Sequence, residues 1–457
     1  MRVLFIVHDN YQEDNELPLG VLNLATILKN NEVDVSIYCM DVYHYTNKQL
    51  ADYLDKNEFD IIGLGFMAAR FNETIIPLCK VINRHKKNAW LMLGGHGPSP
   101  IAEYMLDKVK ADCVVVGECE ANIMDILDHR QNNDNKRIFY GKRFNKLDKI
   151  PEPDWELLPI EKYAYSMRVD NMKPGDGFLS IESSRGCVNR CAFCYRMEKG
   201  VRLKSIDSIV NQIKHLRNKY NVKYVLFTDE LFILSKKRLE QYYCAMRDAG
   251  IDDIDYWCNA RVDLIDDELM DLMKKSGCRF INYGFESMDA DVLEAMHKNT
   301  TPEQNDTAAR ITKEYNIPFG INIIWNNIYD TFESLEMGKE FIMKYNLFGQ
   351  LRTIRPVTPY PGCDLYYYAL RRGLLDGPED FFNRFKNSDL ITVNFTYMNV
   401  KDMYDALYKT NRELIFHHYK NTTGDMKEAE YMAHQFYRVY YEKFYKFRGA
   451  RHYEAEE

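Results

Sequence analysis

The sequence has no run of 18 or more apolar residues, the length a helix needs to cross a bilayer, so no membrane span is expected. It also has no dense Lys/Arg stripe, and a net charge of −8 argues against a nucleic-acid partner. No low-complexity tract interrupts it. The apolar start, Met1 to Val7, stops at His8-Asp9-Asn10 without a small-residue cleavage site. No secretory leader and a cytoplasmic setting are therefore expected. A disulfide pattern is missing too. The eleven cysteines are odd in number and scattered, which speaks against a disulfide framework in a chain of this size. Cys39, Cys79, Cys113, Cys244, Cys258 and Cys278 lie among apolar neighbours and read as small buried hydrophobes. Cys119 and Cys363, in glycine-containing loops, are less easily dismissed.

What is present is the composition of a folded protein: 46% hydrophobic and 28% charged residues over 457 positions, room for two or three domains at roughly 100–200 residues each. Val3–Val7, Val33–Tyr38, Ile61–Phe66, Trp90–Leu93 and Cys113–Val116 read as buried strands. Helical stripes such as Val21, Leu24, Ala25 and Leu28 lie between them. Residues 1–130 are thus expected to form an α/β, doubly wound parallel sheet of Rossmann-like type. Residues 131–176, with the polar stretch Gln131–Arg137 and the proline-marked Ile150–Pro159, read as a linker. Strand candidates then recur at Leu179–Glu182, Tyr224–Thr228, Tyr256–Ala260, Phe280–Phe285, Phe319–Ile324 and Gln350–Pro356. With helices between them they predict a full or partial six-unit β/α barrel over 177–372, functional groups at the C-terminal strand ends. Residues 373–457, rich in Tyr and Phe, read as helical; Tyr437–Tyr445 reads as one aromatic helix face packing as a cap.

The densest chemical signal is Arg185-Gly186-Cys187-Val188-Asn189-Arg190-Cys191-Ala192-Phe193-Cys194. Thiolates at this spacing suit an iron–sulfur cluster or zinc. A closed zinc site would want a fourth ligand nearby, and no Cys or His follows soon after Cys194. A cluster held by three thiolates keeps one iron open, which is a catalytic arrangement.

Cys-x-x-x-Cys-x-x-Cys with Phe193 before its last thiol resembles the signature of the radical SAM superfamily. The resemblance implies a [4Fe–4S] cluster on Cys187, Cys191 and Cys194, with S-adenosylmethionine (SAM) on the open iron. It also implies cleavage to a 5′-deoxyadenosyl radical. By the same resemblance Asp229 and Glu230, after the second barrel strand, fall near the methionine amino group. Arg261 after the third would pair with the SAM carboxylate, and Glu286 at the end of the fourth would bind ribose hydroxyls. Thr358-Pro359-Tyr360-Pro361-Gly362 resembles the family's turn after the sixth strand. The fifth departs, with Ile324-Trp325-Asn326-Asn327-Ile328-Tyr329 in place of Gly-x-Pro-Gly-Glu.

In the first domain, Pro18-Leu19-Gly20, Gly94-Gly95-His96-Gly97 and Val116-Gly117-Glu118 resemble the cobalamin-binding domain of cobalamin-dependent radical SAM enzymes. Glycines there let the backbone approach a flat macrocycle or its tail. Met67-Ala68-Ala69 would lie near the lower face of the corrin. No Asp-x-His-x-x-Gly occurs, since His8 and Asp9 stand in the wrong order. Cobalamin is therefore expected base-off without a histidine ligand; His96 reads more readily as a loop-packing histidine than as a cobalt ligand. The layout resembles the group of the anaerobic magnesium-protoporphyrin cyclase and cobalamin-dependent methylases. It implies methylation of an unactivated carbon of a small-molecule or peptide substrate, through the 5′-deoxyadenosyl radical and methylcobalamin. Oxidation, cyclisation or ring rearrangement without methyl transfer is the enzymatic alternative, and SAM chemistry with the first domain otherwise employed is another. An iron–sulfur or cobalamin sensor is the non-enzymatic one. A flavodoxin or ferredoxin is the electron donor the resemblance implies.

Overall fold

The computed structural model describes residues 1–10, 15–132, 135–169, 172–346 and 350–443. Two of the Gln131–Arg137 positions, and Phe444 and Tyr445 of the expected aromatic helix, lie outside them.

The first sheet contains β1 (Arg2–Val7), β2 (Asp34–Cys39), β3 (Ile61–Gly65), β4 (Trp90–Gly94), β5 (Cys113–Val116) and β6 (Ile138–Tyr140). Every pairing is parallel, in the order β2-β1-β3-β4-β5-β6. Helices α1 (Leu19–Asn30), α2 (Asn47–Lys56), α3 (Ile76–His85), α4 (Ala102–Val109) and α5 (Ile123–Gln131) make the connections. Strand order reverses at β1/β3, and in open α/β sheets ligands bind beyond the strand C-termini at such a switch. The apolar runs of β1, β3 and β4 are almost entirely buried, as expected of strands covered on both faces. β6 falls within the stretch read as linker. Three residues are too few to show periodicity, and only pairing with Val114–Val116 makes them a strand.

The second sheet runs β7 (Gly177–Ile181), β8 (Val222–Phe227), β9 (Asp255–Ala260), β10 (Cys278–Glu286), β11 (Phe319–Trp325) and β12 (Arg355–Pro356), in sequential order. It is an open half-barrel. Between its strands lie α6 (Ile206–Tyr220), α7 (Lys236–Asp248), α8 (Asp267–Lys275), α9 (Pro302–Glu314) and α10 (Phe332–Tyr345). Ser205 caps α6, accepting from Ser208 N at 3.2 Å, as its sequence predicts. The strand expected over Gln350–Pro356 shrinks to two residues. Ile354, just before it, gives its N–H to Asn411 Oδ1 at 2.8 Å and receives Asn411 Nδ2 on its carbonyl at 2.9 Å. A side-chain amide thus takes the place of a pairing strand. Asn411 belongs to α13 (Val400–Asn421), which follows α11 (Asp364–Arg371) and α12 (Pro378–Arg384) and packs on α14 (Met426–Tyr441).

The chain forms two compact units: Met1–Ile181 with Tyr195–Lys223, and Glu182–Cys194 with the described residues from Tyr224 on. No disulfide forms among the described residues. Cys39, Cys79, Cys113, Cys258 and Cys278 are buried as expected, whereas Cys244 is exposed on the outer face of α7. Its apolar neighbours Tyr242 and Met246 turn inward while it turns out. No described helix is long and apolar enough to cross a membrane.

Candidate active site

The loop after β7 carries the three thiols and is held at several points. Asp229, just beyond β8, accepts from Ser183 N at 2.7 Å, Ser184 N at 3.0 Å and the Ser183 hydroxyl. It is buried, and burial pushes its carboxyl up to about 7. Glu230 stays exposed and accepts from Gly186 N at 2.9 Å. Ala192 N donates to Met296 O, and Ala192 O accepts from Leu365 N, both at 2.8 Å. Cys194 N closes a turn onto Cys191 O at 3.1 Å, and Asn189 N donates to Cys187 Sγ at 3.5 Å. Cys187, Cys191 and Phe193 are half-buried and Cys194 is exposed.

Arg261 and Glu286, both buried, flank this loop with their charges already engaged. Arg261 grips Asp263 through Nε at 2.8 Å and Nη2 at 3.0 Å, and donates to the Lys298 and Asn299 carbonyls at 3.3 Å. With the Asn189 amide oxygen turned inward, that oxygen accepts from Arg261 Nη1 at 2.9 Å, which ties the thiol loop to the end of β9. Glu286 sits at φ 65° where the register shifts beside Gly284, and pairs with Lys298 Nζ at 3.0 Å. A positive φ outside glycine costs roughly 1–3 kcal/mol and collects at functional positions. Burial raises the Cys191 thiol; Lys298 and Arg261 oppose that rise and Glu286 adds to it.

After β11, Asn326 at φ 70° is fully buried and donates through Nδ2 to Val393 O at 2.7 Å. The departure from the family pattern thus anchors the chain after α12. Thr358–Gly362 forms a turn with Gly362 at φ 97°. Cys363, buried near Cys194, caps α11 by accepting from Tyr366 N at 3.3 Å, and burial drives its thiol to about 12.

Among the described residues no three His, Cys, Asp or Glu side chains converge on one ion position. Three thiols on one loop suit a polynuclear iron–sulfur cluster.

In the other unit, the sequence-predicted residues gather at the C-terminal edge of the first sheet. Pro18, Leu19 and Gly20 open α1 with no side-chain cap. Met67 is 59% exposed just beyond β3, with Ala68 and Ala69 half-exposed beside it. A Cβ on Gly94 would meet nothing nearer than Val115 O at 4.0 Å, and Gly95 and Gly117 take φ of 87° and 84°. Val116 ends β5 half-exposed. Uncovered backbone along one sheet edge fits a flat macrocycle. Gly97 differs: a Cβ there would lie 2.8 Å from the Phe66 ring and carbonyl, so it is a packing glycine. His96 is exposed, edge-on to Tyr195 at 6.0 Å. Glu118 is ion-paired with Arg202. His8 is buried, which lowers its pKa, and Asp9 accepts from His44 Nδ1 at 2.9 Å.

Sequence reasoning missed Lys298, Asp263 and Asn189, and also an amide ladder. Asn259 Nδ2 donates to Asp229 O at 2.9 Å, Asn282 Nδ2 to Asn259 Oδ1 at 3.2 Å, and Asn322 Nδ2 to Asn282 Oδ1 at 3.0 Å. The available signal was an asparagine, a poor strand former, inside each of three strands.

A three-thiol loop on an open parallel half-barrel, in a chain that also carries a flavodoxin-ordered sheet with an uncovered glycine edge, defines a radical SAM protein with a B12-binding domain. Residues 181–337 match the Radical SAM superfamily and residues 13–127 the B12 binding domain. The chain is 27% identical over 383 residues to an uncharacterized methyltransferase of Pyrococcus horikoshii, covering 78% of this chain and 79% of that one. It is 25% identical over 403 residues to the anaerobic magnesium-protoporphyrin IX monomethyl ester cyclase of Rubrivivax gelatinosus, covering 80% and 69%. Among solved structures, the radical S-adenosylmethionine methyltransferase TsrM of Kitasatospora setae, with cobalamin and a [4Fe–4S] cluster bound, aligns with a TM-score of 0.63. Identity there is 16%, over 81% of this chain and 75% of that one.

Proposed function

We propose that the protein is a cobalamin-dependent radical SAM methyltransferase that methylates an unactivated carbon of a small organic substrate. The observation that carries this reading is the pairing, in one chain, of the Cys187/Cys191/Cys194 loop with a strand-end edge where Met67 is exposed, Gly94 leaves room for a side chain, and Gly95 and Gly117 take positive φ. When bound, the cluster and SAM would supply a carbon-centred radical, and cobalamin a transferable methyl group.

The chain's own residues would do the positioning. Cys187, Cys191 and Cys194 hold the cluster, and the Asp229 and Glu230 carboxylates fix the loop through Ser183, Ser184 and Gly186. Phe193 precedes the last thiol in the loop. Because the Arg261 fork is filled by Asp263, its role here is to set the loop through Asn189. Glu286, held by Lys298, presents an acceptor at the β10 end for hydroxyl groups of SAM. Pro18, Leu19, Gly20, Met67–Ala69, Gly94, Gly95, His96, Val116 and Gly117 border the corrin, with no histidine to the metal. Gly97 and Glu118 shape those loops from behind. An external flavodoxin or ferredoxin would deliver electrons, and a chain without disulfides among its described residues suits a reducing cytoplasm.

The magnesium-protoporphyrin relative keeps the second reading in play, oxidative ring formation without methyl transfer. With anaerobically reconstituted protein and hydroxocobalamin, methyl transfer is expected to consume a second SAM, giving S-adenosylhomocysteine alongside 5′-deoxyadenosine and methylated product. 5′-Deoxyadenosine with an oxidised, unmethylated product would replace it with the second reading.

A further inference from the structure

Successive residues of β9, β10 and β11 point to opposite faces of the half-barrel. Tyr256, Cys258, Ile281, Tyr283, Ile321 and Ile323 are buried under the helices. Their neighbours Trp257, Asn259, Phe280, Asn282, Asn322 and Ile324 are half-exposed on the concave face. Trp257 and Phe280 lie in register with ring centroids 4.9 Å apart, an aromatic floor below the amide ladder. At the far end of that ladder stands Arg352, whose Nη1 donates to Asn322 Oδ1 at 3.1 Å and whose Nη2 donates to Gln350 Oε1.

Both acceptors are neutral. Among the described residues Arg352 has no carboxylate partner, and its buried Nε has no acceptor. Room is kept for it: a Cβ on Gly320 would overlap Arg352 Nη2 and come within 2.5 Å of Asn282 Oδ1. Burial, helped by the Arg355 charge, pulls the guanidinium down to about 10, so it remains charged at neutral pH. A partly desolvated cation without a counter-ion is costly, and a site that tolerates the cost is a candidate for binding.

We propose that the concave face of the half-barrel takes a small organic anion, with Arg352 as counter-ion to its carboxylate or phosphate and Trp257 and Phe280 under its apolar body. The ladder amides supply donors and acceptors along the length of the ligand, and a guanidinium fork suits an oxyanion. The inference rests on the proposed radical SAM reading only in taking this ligand for the substrate; the anion site itself does not need the cluster.

The test titrates the full chain with phenyl phosphate, benzoate and neutral benzamide, following melting temperature and calorimetric binding. At least one anion should bind saturably and benzamide should not. Arg352→Gln should lose that binding without lowering the melting temperature of the free protein, because it removes an unpaired charge. Arg352→Lys should weaken it about tenfold, since a point charge replaces a fork. Gly320→Ala should weaken it by pushing the guanidinium aside. Equal binding by wild type and Arg352→Gln, or no saturable anion, overturns the proposal. Competition by methionine alone would give the site to the cofactor and overturn it as a substrate site. A preference between phenyl phosphate and benzoate identifies the oxyanion. Iron content is read on the same samples, so failure of the cluster reading shows separately from failure of the anion site.

Discussion

A cysteine ligates iron as thiolate, and at Cys191 burial works against the thiolate while Lys298 and Arg261 favour it. A cluster, when bound, would have to offset that burial, and loss of this one ligand should not be compensated by its neighbours. Cys191→Ala is expected to lower iron from about four per chain to below about one, and SAM cleavage by at least about a thousandfold, with the first sheet still folded. Iron analysis, 5′-deoxyadenosine assay and circular dichroism check this. SAM cleavage retained by a folded variant would sink the cluster assignment. The same scale shows why some residues were legible and others were not. Three thiols in register announce themselves in the chain. Arg261 and Glu286 are expected from the family pattern, but their partners Asp263 and Lys298 could be named only once side chains had met.

At the scale of elements, the turn into α10 holds a buried carboxylate. Asp330 accepts from Asn327 N at 2.8 Å and from the Ser334 hydroxyl at 2.6 Å, and burial pushes its pKa up to about 7. The sign follows from linkage. A folded pKa above the unfolded 3.8 means that the native state binds the extra proton between about pH 4 and pH 7. The stability it brings is complete at acid pH and is lost as pH rises through about 7. Asp330→Asn, which cannot ionise, should show a smaller fall in melting temperature from pH 5 to pH 8 than the wild type, measured by thermal unfolding in constant ionic strength. An unchanged pH profile would show that Asp330 does not titrate in this range. Strand alternation and helix stripes read well from the sequence because periodicity is local. β6 and the shortened β12 did not, since one exists through pairing with β5 and the other is cut short by the Asn411 amide.

At the scale of the whole molecule, the first sheet offers an edge that fits a macrocycle, and Gly94 tests it without straining the backbone. A Cβ there meets only Val115 O at 4.0 Å, so Gly94→Leu should stay within about 1 kcal/mol of wild-type stability. It should nonetheless cut cobalamin uptake from about one per chain at least tenfold, because the added side chain occupies the edge. Cobalt analysis with and without hydroxocobalamin, together with iron content, separates this from a general loss of fold. Full cobalt uptake by the variant would move the corrin elsewhere.

The amino-acid sequence by itself determined the order of strands and helices, the placement of three thiols after the first barrel strand, and the glycine-bearing loops after three strands of the first sheet. Those are statements about spacing along one chain, and alternation, turn residues and motif length carry them. Only the tertiary structure decided which charges meet, that the Arg261 fork is filled, that Cys244 faces outward, and that Arg352 lacks a counter-ion among the described residues. Such facts depend on how side chains settle once the chain has folded, whether onto a residue two positions away, as Arg261 onto Asp263, or tens of positions away, as Asn282 onto Asn322. Burial there reverses the ordinary preference of a polar group for water, and no local pattern records it.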